Sequence, residues 1–505
     1  MARLDRSRLD AIRTGGTVDV GPSPTGPERI LQIGEGNFLR AFVDWMVDRA
    51  NAAGVFDGRI VVVQPRNRRQ GTVSVLQSQE GLYTVFIRGC QDGALIDRAE
   101  IVQAVSRGIN PYEHWDAFLA CAANPHLRFL VSNTTEAGVV YEPTGRPDGA
   151  CPASFPAKVT ALLLERWRRF DGAPDKGLIL LPCELIDRNG DTLRDICLRH
   201  AADWGLDGAF IGWMTGANHF LNTLVDRIVP GFPADQADAL AARCGYEDAL
   251  MVACEPYHLW AIEGPAALEA ELPLARAGLN VVWTDNLTPY RYRKVRILNG
   301  AHMALVPTAF LAGADTVGQS VEHPVIGGYL RATLRQEILP TLAMDDGERQ
   351  AYAAATLDRF ANPFIRHALL SIALNSVAKF PVRLLPTLLE YVRQRGSIPR
   401  RMALALAALL AMYRTTEIAD GLGRGVRGGQ PYPINDSGEV LAFFVGVWKR
   451  YDADGDAGAL CRAALARKAF WGRDLNEVPG LHAAVAEALS GILAGDILKQ
   501  MEALG

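Results

Sequence analysis

No stretch of this 505-residue sequence stays apolar long enough to cross a bilayer. The longest apolar run, residues 402–412, is flanked by Arg400, Arg401 and Arg414 and reads as a buried helix. An excess of one charge is also missing. Lys and Arg number 52 against 56 Asp and Glu, a net charge of −4, so there is no bulk attraction for nucleic acid or an anionic membrane. The short basic run 66–69 is either a solvated loop or a small phosphate site. The eight cysteines form no Cys-x-x-Cys pair and no cluster with histidine at zinc spacing, which predicts reduced thiols and no metal. Residues 1–16 mix Arg and Asp without an apolar core, unlike a signal peptide, so the cytoplasm is the expected location. Asp452-Ala-Asp454-Gly-Asp456 begins like a calcium loop, but the glycine is misplaced and Ala463 stands where a bidentate Glu is needed. A solvated turn is the reading there. No repeat or low-complexity segment occurs.

Hydrophobic residues make up 49% and charged residues 21%, as in a globular protein, and the length calls for two domains. After a polar, Gly/Pro-rich leader over 1–27, residues 29–33 read as a short buried strand and Gly34-Glu-Gly36 as a tight turn. A helix is predicted over 37–51, with Phe38, Phe42, Trp45 and Met46 on one stripe, followed by a strand over 59–64. Further β-type runs lie at 83–87, 129–132 and 178–181, with a helix at 154–170. Buried strands alternating with helices predict an α/β, doubly wound parallel sheet over 28–232. Past Pro230 the texture turns to Ala/Leu/Arg-rich helix, with a single strand expected at 279–284, so 233–505 is predicted to be a mainly α-helical domain.

A glycine pair between a buried strand and a helix suits a dinucleotide. Gly34 lets the chain turn sharply after Ile33, and Gly36 lets the backbone approach a pyrophosphate at the helix start, where Asn37 and Phe38 follow. Leu39 stands where a third glycine is usual, so the motif is incomplete. Such a pair also occurs in ordinary strand–helix turns. The second strand ends Gln64-Pro65-Arg66-Asn67-Arg68-Arg69, without the carboxylate that grips the NAD ribose. On chemistry alone this leans toward NADP. Glu136 follows another strand end and suits either a ribose contact or proton relay, or a helix cap.

The second domain carries Lys294, Asn299 and His302 on one predicted helix. Asn299 and His302 are neighbours on a helix face, and Lys294 lies about 80° around from His302 at roughly 100° per residue. A lysine whose pKa falls on burial takes or returns a proton near neutral pH, and an amide and an imidazole hold an oxygen as charge develops on it. The plainer alternative is one surface Lys, one capping Asn and one packed His.

These residues match position by position the K-x4-N-x2-H hallmark of the long-chain mannitol dehydrogenase family, which the chain resembles. The Gly34-Glu-Gly36-Asn-Phe-Leu-Arg-Ala-Phe turn is similar to that family's cofactor signature, as are the blocks Ser132-Asn133-Thr-Thr-Glu136, Leu224-Val-Asp226-Arg227 and Arg359-Phe-Ala-Asn362-Pro363. The resemblance implies a Rossmann domain, a helical second domain, NAD as cofactor (with NADP as the alternative) and no metal. It implies Lys294 as acid–base group, with Asn299 and His302 holding the reacting oxygen. Ile33, Gly34, Gly36, Asn37, Phe38, Arg66, Asn133 and Glu136 are the implied cofactor residues. Asp226 would contact a substrate hydroxyl or orient His302, the alternative being an ion pair with Arg227. Lys379 would meet a substrate carboxylate or hydroxyl, the alternative being a surface lysine. Where the polyol branch carries Cys-Asp-Asn, this chain has Cys183-Glu184-Leu185, which points to the branch acting on a small sugar acid.

Overall fold

The structure is a computed structural model and describes residues 1–67 and 71–505, with only the backbone of Glu136. Arg68 and Arg69 of the basic run lie outside the described residues. The chain forms two compact units, Met1–Arg88 with Leu95–Thr288, and Gly89–Ala94 with Pro289–Gly505.

The first unit is built on six parallel strands: β1 Glu28–Ile33, β2 Arg59–Val63, β3 Val105–Ile109, β4 Phe129–Ser132, β5 Ile179–Pro182 and β6 His219–Phe220. Their order across the sheet is 3-2-1-4-5-6, that of a doubly wound dinucleotide fold. Runs such as Ile-Val-Val-Val and Ile-Leu-Leu are apolar on both faces because both faces are covered. Ile30 stands opposite Ile60 and Phe129, and these pack with Phe42, Trp45 and Met46 of the helical run 37–52. Leu31, Ile33, Val61 and Leu130 point the other way, against Val159, Leu162 and Leu163 of the helix Phe155–Arg169.

Two smaller sheets complete the unit. One aligns Asp19–Val20, Ala94–Val102, Tyr83–Gln91 and Val252–Cys254. The other pairs Asn222–Asp226 with Leu259–Glu263, and that strand with Val281–Thr284. This last pairing keeps residues well past 232 in the first unit, so the division falls after Thr288. The change of texture at 232 marks shorter strands rather than a new unit. Residues 1–27 are not a separate polar leader either. Leu4, Leu9 and Val18 are buried with Leu82, Phe86 and Tyr246, a contact too sparse along the sequence to show as a pattern.

The second unit is mainly helical. Arg400–Met412, buried throughout from Met402, packs on Gly300–Leu311 and Leu481–Leu493. It also carries a three-stranded antiparallel sheet, Glu417–Ala419, Leu422–Arg427 and Gln430–Ile434, where the sequence suggested helix only. That segment is glycine-rich and its strands are half exposed, so it lacks an apolar signal. Asp456 caps the helix Ala457–Leu465 through Ala459 N–H, and Asp454 accepts from the Asp456 N–H. The acidic stretch is thus an ordinary turn and helix start. Among the described residues no helix is long and apolar enough to cross a membrane.

Candidate active site

The carboxyl ends of the first unit's strands are where a doubly wound sheet takes its ligand. Gly34 has φ +136°, and a Cβ there would lie 3.0 Å from the Asn133 carbonyl oxygen and 3.0 Å from Leu39 Cδ1. Its N–H donates to the Val63 carbonyl and the Asn133 N–H to the Ile33 carbonyl, so Gly34 sits where β1, β2 and β4 end together. Gly36 differs. Its φ is −70°, and a Cβ there would meet nothing within 4 Å. The space beside it is open at the first N–H groups of the helical run 37–52, the kind of helix start that can receive a phosphate.

The side chains around this turn brace it. Asn37 Oδ1 accepts from Arg40 Nη2 at 2.6 Å, and Arg40 also donates to the Leu250 carbonyl. Phe38 stacks on Phe42 at 4.8 Å, and Ile33 is fully buried. These three therefore present backbone, not side chain, at the turn. Leu39, in the third-glycine position, is buried, and the helix widens to a π-turn over Arg40–Asp44 directly after it.

Beyond β2, β3 and β4 lies a cavity of about 510 Å³ lined by Arg66, Tyr112, Thr134, Gly138, Cys151 and Phe155, among others. This is within the size range of small-ligand sites. Arg66 is exposed and donates to Thr135 Oγ1 at 3.2 Å. Asn133 Nδ2 reaches the Cys183 carbonyl at 3.4 Å. The Glu136 side chain lies outside the described residues. Two buried residues brace the lining from behind: Lys158, which the sequence reading did not single out, and Glu184, which it named only within the Cys183-Glu184-Leu185 triplet. Buried Lys158 donates to the Ala153 carbonyl (2.8 Å), Tyr112 Oη (3.0 Å) and the Pro65 carbonyl (3.4 Å), tying three loops together; burial pulls its pKa down to about 8. Buried Glu184 accepts from Ser132 Oγ, Thr134 N–H and Thr134 Oγ1, fastening the end of β4 to the end of β5. Burial raises its pKa. Its neighbour Leu185 is 68% exposed.

Asp226 ends its strand, 4% exposed. Arg227 gives Nε to the Glu255 carbonyl and Nη1 to the Ala41 carbonyl, and its guanidinium covers Trp45 at 4.2 Å.

In the second unit, Lys294, Asn299 and His302 lie on one helical run, residues 288–311, as the spacing predicts. Lys294–Asn299, however, is π-helical. A π-turn closes one residue later than an α-turn, so the 100° step and the 80° separation drawn from it do not hold here. Lys294 and Asn299 are half-buried. His302 is 6% exposed, stacked on Phe360 at 4.2 Å and edge-on to His367 at 5.6 Å. Its Nε2 has no hydrogen-bond partner among the described residues. Burial, helped by His367, Arg359 and Arg383, holds its pKa well below the usual value, so the ring is neutral. The helix Ser376–Arg383 packs against this run and brings half-buried Lys379 with it, Nζ donating to the Ile372 carbonyl at 3.1 Å. Burial lowers the Lys379 pKa as well. His367 escaped the sequence reading, and Phe360 was visible in it only inside the Arg359–Pro363 block, without a role of its own.

The known proteins that this chain resembles agree with both halves. The family model for the mannitol dehydrogenase Rossmann domain matches residues 28–276, and that for the mannitol dehydrogenase C-terminal domain matches 286–493. The chain belongs to the mannitol dehydrogenase family. Two members, the altronate oxidoreductases of Klebsiella pneumoniae (strain 342) and Bacillus subtilis (strain 168), are 46% and 45% identical to it. The first alignment covers 94% of this chain and 96% of the relative, the second 92% and 93%. Among solved structures, the fold matches Pseudomonas fluorescens mannitol 2-dehydrogenase, in a ternary complex with NAD and D-mannitol, with TM-score 0.68, 24% identity and 99% of each chain covered. It matches a D-sorbitol dehydrogenase in substrate-free form with TM-score 0.80 and 22% identity, over 99% of this chain and 100% of the other. Family membership thus rests on sequence over nearly the whole chain, and the architecture on fold.

Proposed function

We propose that this member of the mannitol dehydrogenase family is an NAD-dependent oxidoreductase of a linear sugar acid, interconverting altronate and its keto partner tagaturonate. The observation that carries this reading is the full-length identity to altronate oxidoreductases, 46% over 475 residues, with Lys294, Asn299 and His302 all in place.

A bound nicotinamide supplies the hydride chemistry. The chain's own residues handle the oxygen and its proton. In the reducing direction, Lys294 as the ammonium protonates the carbonyl oxygen as the carbon gains hydride. The Asn299 amide and the Nε2 of neutral His302, which has no partner among the described residues, are the groups for holding that oxygen, the imidazole donating to it in the Nε2–H tautomer. In the oxidising direction neutral Lys294 takes the hydroxyl proton. Gly34 and Gly36 serve the pyrophosphate, and the cavity beyond β2 serves the adenosine end. A second reading of the cofactor has its own support: Arg66 stands after β2 where a ribose-gripping carboxylate is usual, which favours acceptance of a 2′-phosphate.

The test is NADH oxidation by the purified protein, followed by absorbance, with tagaturonate, fructuronate and fructose, each repeated with NADPH. Preferred turnover of tagaturonate with NADH is expected. Preference for fructuronate or fructose moves the chain to a sister activity, and no oxidation with any of them rejects the enzyme reading.

A further inference from the structure

The helical unit contains a cation without a partner among the described residues. Arg383 closes the helix Ser376–Arg383 and is half-buried. Among the described residues its guanidinium makes no hydrogen bond and no ion pair, and burial alone pulls its pKa down, with no carboxylate to offset it. A basic residue at a helix C-terminus often serves the last carbonyls, but no such bond is made here. Charges in partly buried positions are normally paired, so a guanidinium left open points to an anion that comes from outside.

Its place in the unit says which anion. Gly300 lies between Asn299 and His302, and a Cβ there would be 3.2 Å from the Arg383 carbonyl oxygen. That glycine lets the end of the Arg383 helix press against the turn that carries the reacting residues. Lys379 is one turn back on the same helix, a spacing at which like charges repel unless an anion lies between them. Asp436, the carboxylate near Lys379, is engaged at the other end of the helix: Oδ2 accepts from Tyr413 Oη at 2.6 Å and from Val377 N–H, and Oδ1 from Ser437 N–H. The unpartnered, nine-tenths buried Nε2 of His302 belongs to the same group of side chains.

We infer that Arg383 receives the carboxylate of the substrate, in a two-pronged guanidinium–carboxylate pair, with Lys379 beside it on the same helix. The inference rests on the sugar-acid reading above. It makes Arg383 the specificity-determining residue: a planar fork matches a carboxylate and has no equivalent match in a hydroxymethyl group. A neutral sugar leaves the guanidinium as unpaired as it is in the free protein.

The experiment compares the full-length wild type with R383Q and R383K. Steady-state NADH oxidation is measured with tagaturonate and with tagatose, which carries a hydroxymethyl group in place of the carboxylate, and NADH binding is followed by fluorescence. R383Q is expected to raise the KM for tagaturonate roughly 10- to 100-fold, to change kcat/KM for tagatose by less than about 2-fold, and to leave NADH affinity unaltered. R383K, which keeps the charge and loses the fork, is expected between wild type and R383Q, and its folding tests the idea if R383Q does not fold. An unchanged tagaturonate KM in either variant, or an equal loss with both sugars, overturns the assignment of Arg383 and leaves the substrate reading standing. A wild type that reduces tagatose but not tagaturonate overturns both.

Discussion

Replacing Gly34 and Gly36 by alanine, one at a time, separates folding from cofactor binding within a three-residue turn. At Gly34 the backbone is at φ +136°, where an L side chain costs about 1–3 kcal/mol. The new Cβ would also lie 3.0 Å from the Asn133 carbonyl oxygen and from Leu39 Cδ1, and relieving such overpacking costs about 1–3 kcal/mol. The lower entropy of the unfolded alanine chain returns only about 0.4–1 kcal/mol. Gly34→Ala should therefore destabilise the first unit by roughly 1–6 kcal/mol, a fall in Tm of several degrees. Gly36→Ala meets nothing within 4 Å and keeps an ordinary φ of −70°, so its Tm should stay within about 1–2 °C of wild type. On the proposed pyrophosphate path that Cβ stands in the way, and NADH affinity should fall at least about 10-fold. Thermal unfolding without cofactor and NADH fluorescence titration read the two effects. A Gly34→Ala protein as stable as wild type refutes the strain argument, and a Gly36→Ala protein that binds NADH normally refutes the pyrophosphate path.

Lys294→Ala should lower kcat by about 10²- to 10⁴-fold with NADH binding retained, as measured by stopped-flow and titration; near-normal turnover would falsify its acid–base role. Asp44 is fully buried against Tyr83 Oη, and burial raises its pKa from 3.8 to about 7. Between those values the native protein holds a proton that the unfolded chain has released, so this group's contribution to stability falls as pH rises from about 4 to 7. Asp44→Asn removes that loss and should gain on wild type by on the order of 1–3 kcal/mol between pH 5 and pH 8 in denaturant melts; a difference that does not change with pH contradicts the assignment. Arg66→Glu places a carboxylate after β2 and should reduce NADPH use relative to NADH by roughly 10-fold or more. A ratio that does not move removes Arg66 from cofactor choice.

Much of the fold was legible because its signals are local. β1, β2, β4 and β5 are short apolar runs bounded by turn residues, and a strand covered on both faces needs no more than that to announce itself. Gly34 was legible for the same reason, since a sharp turn after a buried strand selects glycine at the position that makes it. The residues 1–27 were misread because their few apolar side chains find partners at Leu82, Phe86 and Tyr246, far along the chain. Of the strands past 232, the one expected at 279–284 is found at Val281–Thr284, whereas Val252–Cys254 and Leu259–Glu263 were missed because strands of three to five residues carry little pattern of their own.

By itself, then, the sequence determined which residues the proposed chemistry falls on: the glycine pair, Lys294, Asn299 and His302 are chemical types at fixed spacings, and spacing is a property of the chain. Tertiary structure alone decided their state. Packing made Lys294–Asn299 a π-turn rather than an α-turn, stacked His302 on Phe360 in an environment that keeps it neutral, and left Arg383 without a carboxylate among the described residues. Burial, charge and the presence or absence of a partner depend on segments distant in sequence, and no local period encodes them.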